Sequence, residues 1–267
     1  MRNFYLVFFL LINIGQIKAQ DFSNKGKDFW VGYGYHVRMK QAANGGNVND
    51  QDMKLYFATD GPTNITVSIP GIGWTRTYST SSTAPNIIVS DPIPKSAATG
   101  GDVRLIDESQ SPEQKGIHIT SDRNIVAYAH IYNSSVSGAT ILFPTNTLGK
   151  EYYSINYKNV SNEDNSNPWF YVIATDTGTT TVQIILSANS IFHQAGDTII
   201  VNLQQGQIFN IMGQLLTQSN PYNAVDLTGS KIKSIASGTG GCKRIAVFSG
   251  SGKINITCNP SDPTSAD

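Results

Sequence analysis

The 267-residue sequence is poor in charge and in cysteine, and has no long apolar run after its first residues. Acidic and basic residues are equal in number, 19 of each, and charged residues make up 14% of the chain, against about 25% in an ordinary soluble protein. A nucleic-acid binder needs a basic surface to displace counterions from phosphates, and this sequence supplies none. The Ala-, Glu-, Lys- and Leu-rich composition of a helical bundle is missing too. Two cysteines cannot build a structural zinc site alone, and His36, His118, His130 and His193 form no HExxH or closely spaced ligand pair. The triplet Ser251-Gly252-Lys253 lacks the first glycine of a phosphate-binding loop. The run Phe248–Gly252 lacks the first glycine of a nucleophile elbow. No cofactor is expected. A carboxylate pair of the glycosidase type stays open, because such pairs meet in space rather than in sequence.

What is present is aromatic mass (10%), glycine (24 residues) and abundant Ser, Thr and Asn, a composition that points to a folded, all-β, secreted chain. Residues 1–19 read as a signal peptide. Arg2 is the positive n-region, Phe4–Ile12 is an apolar run too short to span a bilayer, and Ala19 is a small residue before the cut. Its removal leaves two more acids than bases. No transmembrane anchor follows, so the expected location is the extracellular space or the outer cell surface.

After Gln20 the chain alternates apolar and polar residues almost throughout, with Gly, Asn, Asp and Pro clusters between the runs. Ile65, Val67 and Ile69 form one such face, Val182, Ile184 and Leu186 another, and Ile125, Ala127 and Ala129 a third. The chain also resembles itself. Gly26–Trp30 matches Gly149–Tyr153, and Phe57–Asp60 matches Ile173–Asp176. Ile117–Ser121 aligns with Lys231–Ser234, and Ile125–Ala129 with Ile245–Ser249. The order is kept and loops absorb the differences in spacing. The sequence therefore predicts two tandem β-sandwich halves, Ig-like or jelly-roll-like, from an internal duplication: 20–148 and 149–258, with 259–267 as a linker or cut tail. A single sandwich interleaving both halves is the rival. Ser79–Gly101 is expected to be irregular.

Cys242 and Cys258 follow a signal peptide, so a disulfide is the default. They flank an apparent hairpin with arms Lys243–Phe248 and Lys253–Thr257 and a turn at Ser249–Gly252, centred on Gly250, which would set the two cysteines opposite each other. A partner cysteine beyond the chain end is the alternative. Trp30 beside Gly32, Gly34 and His36 suggests a track able to admit a flat ligand such as a sugar ring, or else a packed backbone. Tyr152 and Tyr157 raise the same question in the second half. Asn47, Asp50 and Asp52 in one loop, and Glu163 and Asp164 in another, offer calcium-type oxygens without EF-hand spacing, so solvated turns compete with a metal. His118 and His130 are placed to meet across paired strands.

The blocks Gly26–Val31, Gly116–Ser121, Asp226–Ser230 and Ile245–Gly250 resemble the IgGFc-binding protein N-terminal domain family, over roughly residues 26–258. The resemblance implies a secreted or surface β-protein of the bacterial branch, with no catalytic residues to carry over. Fc binding itself is not transferred. The expected function is a non-enzymatic module for adhesion, binding a surface glycan or protein. A carbohydrate-active enzyme or its sugar-binding ancillary domain is one alternative, and a structural spacer in a larger surface protein is another.

Overall fold

The computed structural model describes residues 23–40, 48–157, 160–217, 220–236 and 240–255. Among them the chain is all-β, and the only helical pieces are three-residue 3₁₀ turns. The strands are β1 (Gly26–Val31), β2 (Asp52–Thr59), β3 (Thr63–Ile69), β4 (Trp74–Thr80), β5 (Asn86–Val89), β6 (Lys95–Ser96), β7 (Gly101–Asp102), β8 (Ile117–Tyr132) and β9 (Ser137–Leu142). They continue as β10 (Glu151–Tyr153), β11 (Pro168–Ala174), β12 (Thr180–Ile185), β13 (Thr198–Leu203), β14 (Ile208–Met212), β15 (Leu215–Thr217), β16 (Asn220–Ala224), β17 (Lys231–Ile235) and β18 (Ile245–Ser251). Ser79–Gly101, expected to be irregular, instead contains β5, which finds an open edge on β2, and the short β6–β7 pair.

The strands form two sandwiches. In the first, β1–β8–β3–β4 faces β5–β2–β8–β9. The 16-residue β8 belongs to both sheets. Its beginning pairs with β1 and β3, exposed Asp122–Asn124 carry it across the corner, and its end pairs with β2 and β9. The alternation seen in sequence is an alternation of burial. Met53, Leu55 and Phe57 of β2 point inward against Ile65, Val67 and Ile69 of β3, while Lys54 and Tyr56 point out. In the second sandwich, β10–β17–β12–β13 faces β14–β11–β18 around Phe170, Val172, Val182, Ile184, Ile232 and Ile245.

Rows of the two sets of ladders can be set side by side, although β9 has no counterpart beside β18. Phe29 lies opposite Ile119, which lies opposite Val67; Tyr152 lies opposite Ile232, which lies opposite Ile184. In the facing sheets, Ile88, Phe57 and Ala127 form one row, and Phe209, Val172 and Val247 the other. The sequence match is one residue off in β11. It pairs Phe57 with Ile173, yet the ladder equivalent is Val172, because Ile173 points to the other face.

The sandwiches are locked at a joint. The outer face of β11–β14–β18 lies on the back of β1, and Trp30, Leu105, Tyr171, Ile173, Ile208 and Ala246 form a third buried cluster there. Each large side chain in it contributes roughly 1.5–3 kcal/mol by burial. The segment before β8 runs along β14 as an improvised strand. Glu113 and Ile208 exchange backbone hydrogen bonds, and Gly116 N donates to Gly206 O at 3.0 Å. A Cβ on Gly116 would sit 2.3 Å from that carbonyl oxygen. Gly116→Ala is therefore expected to cost at least about 1–3 kcal/mol, because backbone cannot rotate away as a side chain can. Urea unfolding reads this, and an unchanged midpoint would show that the segment is not held against β14.

Candidate functional site

Beside the joint lies a cleft of about 660 Å³. Met53, Ala129 and Ile131 lie at its base, where the edges of β1 and β9 leave the first core open. Trp169, Tyr171 and Phe248 form the opposite wall, and Phe143, Tyr153 and Ile155 line its mouth. Phe143, Tyr153 and Ile155 are exposed. Two strands border it, β9 and β18, and among the described residues each pairs with a strand on only one side, although Gly250 O of β18 accepts from Asn156 Nδ2 at 2.8 Å. Such edges offer unpaired backbone N–H and C=O groups to an incoming extended chain. The lining is mostly apolar, with polar groups from His36, Ser137, Thr140, Ser249 and Ser251 and the charged Lys253.

The wall is rigid for identifiable reasons. Tyr171 Oη accepts from Gly32 N at 3.1 Å and donates to Gly32 O at 3.0 Å. Trp169 Nε1 donates to Tyr35 O at 2.8 Å, and its ring stacks on Tyr171. Burial pushes the Tyr171 and Tyr35 hydroxyls well above the ordinary tyrosine range, so both stay protonated. The chain leaving β18 is stitched to the same floor: Val37 N donates to Gly252 O, and Gly252 N donates to Asn167 O.

Of the residues expected to bind a flat ligand, Trp30 and His36 are buried. The glycine track is filled by the protein itself, with Trp169 over Gly34 and with Tyr171 and Ile208 over Gly32. Trp30 stacks on His118 at 4.1 Å between ring centroids. His36 caps the 3₁₀ turn Val37–Met39, its Nδ1 accepting from Arg38 N at 3.1 Å. Burial pulls its pKa down to about 4, so the ring is neutral at pH 7. Tyr152 is the core counterpart of Phe29, its hydroxyl accepting from Gly149 N at 2.6 Å, and Tyr157 is exposed.

The oxygen-rich loops hold protein cations. Asp50 pairs bidentately with Arg38, whose guanidinium holds its carboxyl below the usual range. Asp52 pairs with Lys95 at 2.8 Å, Glu163 lies 3.6 Å from Lys253, and Asp164 is buried. Asn47 lies outside the described residues. No three His, Cys, Asp or Glu side chains gather among the described residues.

The expected hairpin about Gly250 is not formed. β18 runs straight through Ser249–Ser251, paired with β11 over its whole length, because Val172 and Phe170 give it a continuous partner. Cys242 therefore lies at one end of a strand of about 20 Å and the following chain leaves from the other. Cys258 lies outside the described residues. His118 and His130 both belong to β8 and do not face each other. A cluster not visible in sequence lies on β1 instead. His118 Nε2 is 2.9 Å from Asp28 Oδ2, and the Thr145 hydroxyl donates to Oδ1. Burial opposes ionisation of Asp28, yet these two hydrogen bonds prevail and lower its pKa. Only the β1–β8 register brings the pair together.

Residues 138–266 match the family model described as IgGFc binding protein. This stretch, just under half of the chain, is similar to that family. The match covers nearly all of β9, both cleft-bordering edges and the second sandwich. No curated protein and no solved structure matches the chain significantly. No helix among the described residues is long and apolar enough to cross a membrane.

Proposed function

We propose that the chain is a secreted or cell-surface adhesion module, non-enzymatic, built from two tandem sandwiches of duplicated origin (20–148 and 149–258). In this reading it binds an extended protein segment in the cleft between them. The observation that carries the reading is the cleft itself, with an apolar lining bordered by two strands that, among the described residues, each lack a strand partner on one side. An added strand would gain affinity from main-chain hydrogen bonds and selectivity from alternate side chains entering the apolar wall. The probe is an array of extended eight-residue peptides that alternate apolar and polar residues. A subset is expected to bind the purified chain. Phe143→Glu, at the exposed mouth, is expected to weaken that binding at least tenfold without moving the thermal transition. Binding indifferent to Phe143→Glu would remove the cleft as the site. Turnover of a glycan or peptide, lost on a single Asp or Glu substitution, would replace the adhesion reading with an enzyme.

A further inference from the structure

The joint inside the chain uses only half of what the two sandwiches offer. The second sandwich contributes the outer face of β14–β11–β18, and the first contributes the back of β1. Among the described residues the ladder equivalents of these two surfaces are left exposed, one on each sandwich. On the first sandwich, Tyr56 and Tyr128 stand opposite each other, as Tyr171 and Phe248 do in the joint, and Ile87 occupies the position of Ile208. Tyr171, Phe248 and Ile208 are packed in the joint, whereas Tyr128 and Val89 are exposed and Ile87 is 67% exposed. On the second sandwich, Tyr153 is paired with Lys231 as Trp30 is paired with His118. Two and four residues on, Ile155 and Tyr157 stand where the first sandwich has Gly32 and Gly34, and Ile155 is 79% exposed.

We propose that these two faces dock on each other between copies of this chain, so that the second sandwich of one copy carries the first sandwich of the next. The occupant is identified by the joint, which already seats one such face on the other. Side-chain bulk is exchanged rather than lost. Inside the chain, Trp169 and Tyr171 fill the space over Gly34 and Gly32. At the open faces Lys54 replaces Trp169 at its ladder position, and Ile155 and Tyr157 supply volume from the other side. Because the two faces differ, the contact is heterologous and does not close on itself at two subunits. A charge-poor protein with no strong net charge offers little repulsion against such stacking.

Analytical ultracentrifugation of the full chain over a concentration series tests this. The weight-average mass is expected to rise past that of a dimer without levelling there. Tyr128→Glu on one face and Ile155→Glu on the other are each expected to weaken association at least tenfold. An equimolar mixture of the two variants is expected to stop at a one-to-one pair, since each retains the face the other lacks. Ile87→Glu and Tyr153→Glu form a second pair if either of the first shifts the thermal transition. A wild-type chain that stays monomeric at millimolar concentration, a dimer that saturates, or variants that fail to complement would each overturn the proposal. Peptide binding by the cleft is measured on Tyr128→Glu, whose cleft is intact, so the two readings fail separately.

Discussion

Tyr171→Ala is expected to remove on the order of 5 kcal/mol. Truncating a large buried aromatic costs about 3–5 kcal/mol, and the loss of its hydroxyl leaves Gly32 N–H and C=O without partners, at about 1–3 kcal/mol for each unpaired group. Tyr171 stacks between Trp169 and Phe248, so its removal loosens the whole joint. The two larger cores do not include Tyr171, although Met212 of β14 sits in the first one and Trp169 and Phe248 pack against it. The expected result in urea is therefore a single wild-type transition that splits into two. Tyr171→Phe separates the two contributions: it keeps the ring and is expected to cost only about 1–3 kcal/mol. A Tyr171→Phe midpoint equal to wild type would mean that the hydroxyl makes no net contribution. A Tyr171→Ala protein that still unfolds in one step would mean that the sandwiches do not depend on this joint.

The second large effect is a dependence on pH. His36 is buried, and its pKa falls from the ordinary 6.5 to about 4, with burial the main cause. Asp50 opposes the shift, Arg38 and Lys253 add to it, and the Val136 carbonyl also faces the ring and opposes it. Between pH 4 and 6.5 the unfolded chain therefore binds more protons at this residue than the folded one, and stability rises with pH. The contribution is fully present above about pH 6.5 and is lost as pH falls toward 4, amounting to about 3 kcal/mol over the window. His36→Asn keeps an acceptor for Arg38 N and cannot titrate. Its unfolding free energy, followed from pH 7 to pH 4.5, is expected to be nearly flat where that of the wild type declines. Parallel profiles would show that His36 accepts its proton without cost. The carboxylates of Asp28 and Asp50, held low by His118, Thr145 and Arg38, add their own loss only as pH falls below the usual carboxylate range.

Period-two alternation determined the strand class by itself. Met53, Leu55, Phe57, Ile65, Val67 and Val182 fall inside because a pleated strand turns every second side chain to one face. The match of Gly26–Trp30 to Gly149–Tyr153 sets Phe29 beside Tyr152, and in the ladders each of these stands opposite an isoleucine, Ile119 and Ile232. The match of Phe57 to Ile173 fails in the ladders, because sequence likeness is blind to a one-residue slip that a ladder registers as a change of face. The apparent turn at Ser249–Gly252 is locally sound. Serine and glycine do favour turns, but there a neighbouring strand supplies seven residues of partners, and tertiary pairing outweighs local preference. For Trp30 and the glycines after it, the sequence determined that something would approach closely. Only the tertiary structure decided that the visitor is Trp169 and Tyr171, more than 130 residues away. Bare backbone has the same appearance in sequence whether a ligand or the chain's own aromatics lie upon it.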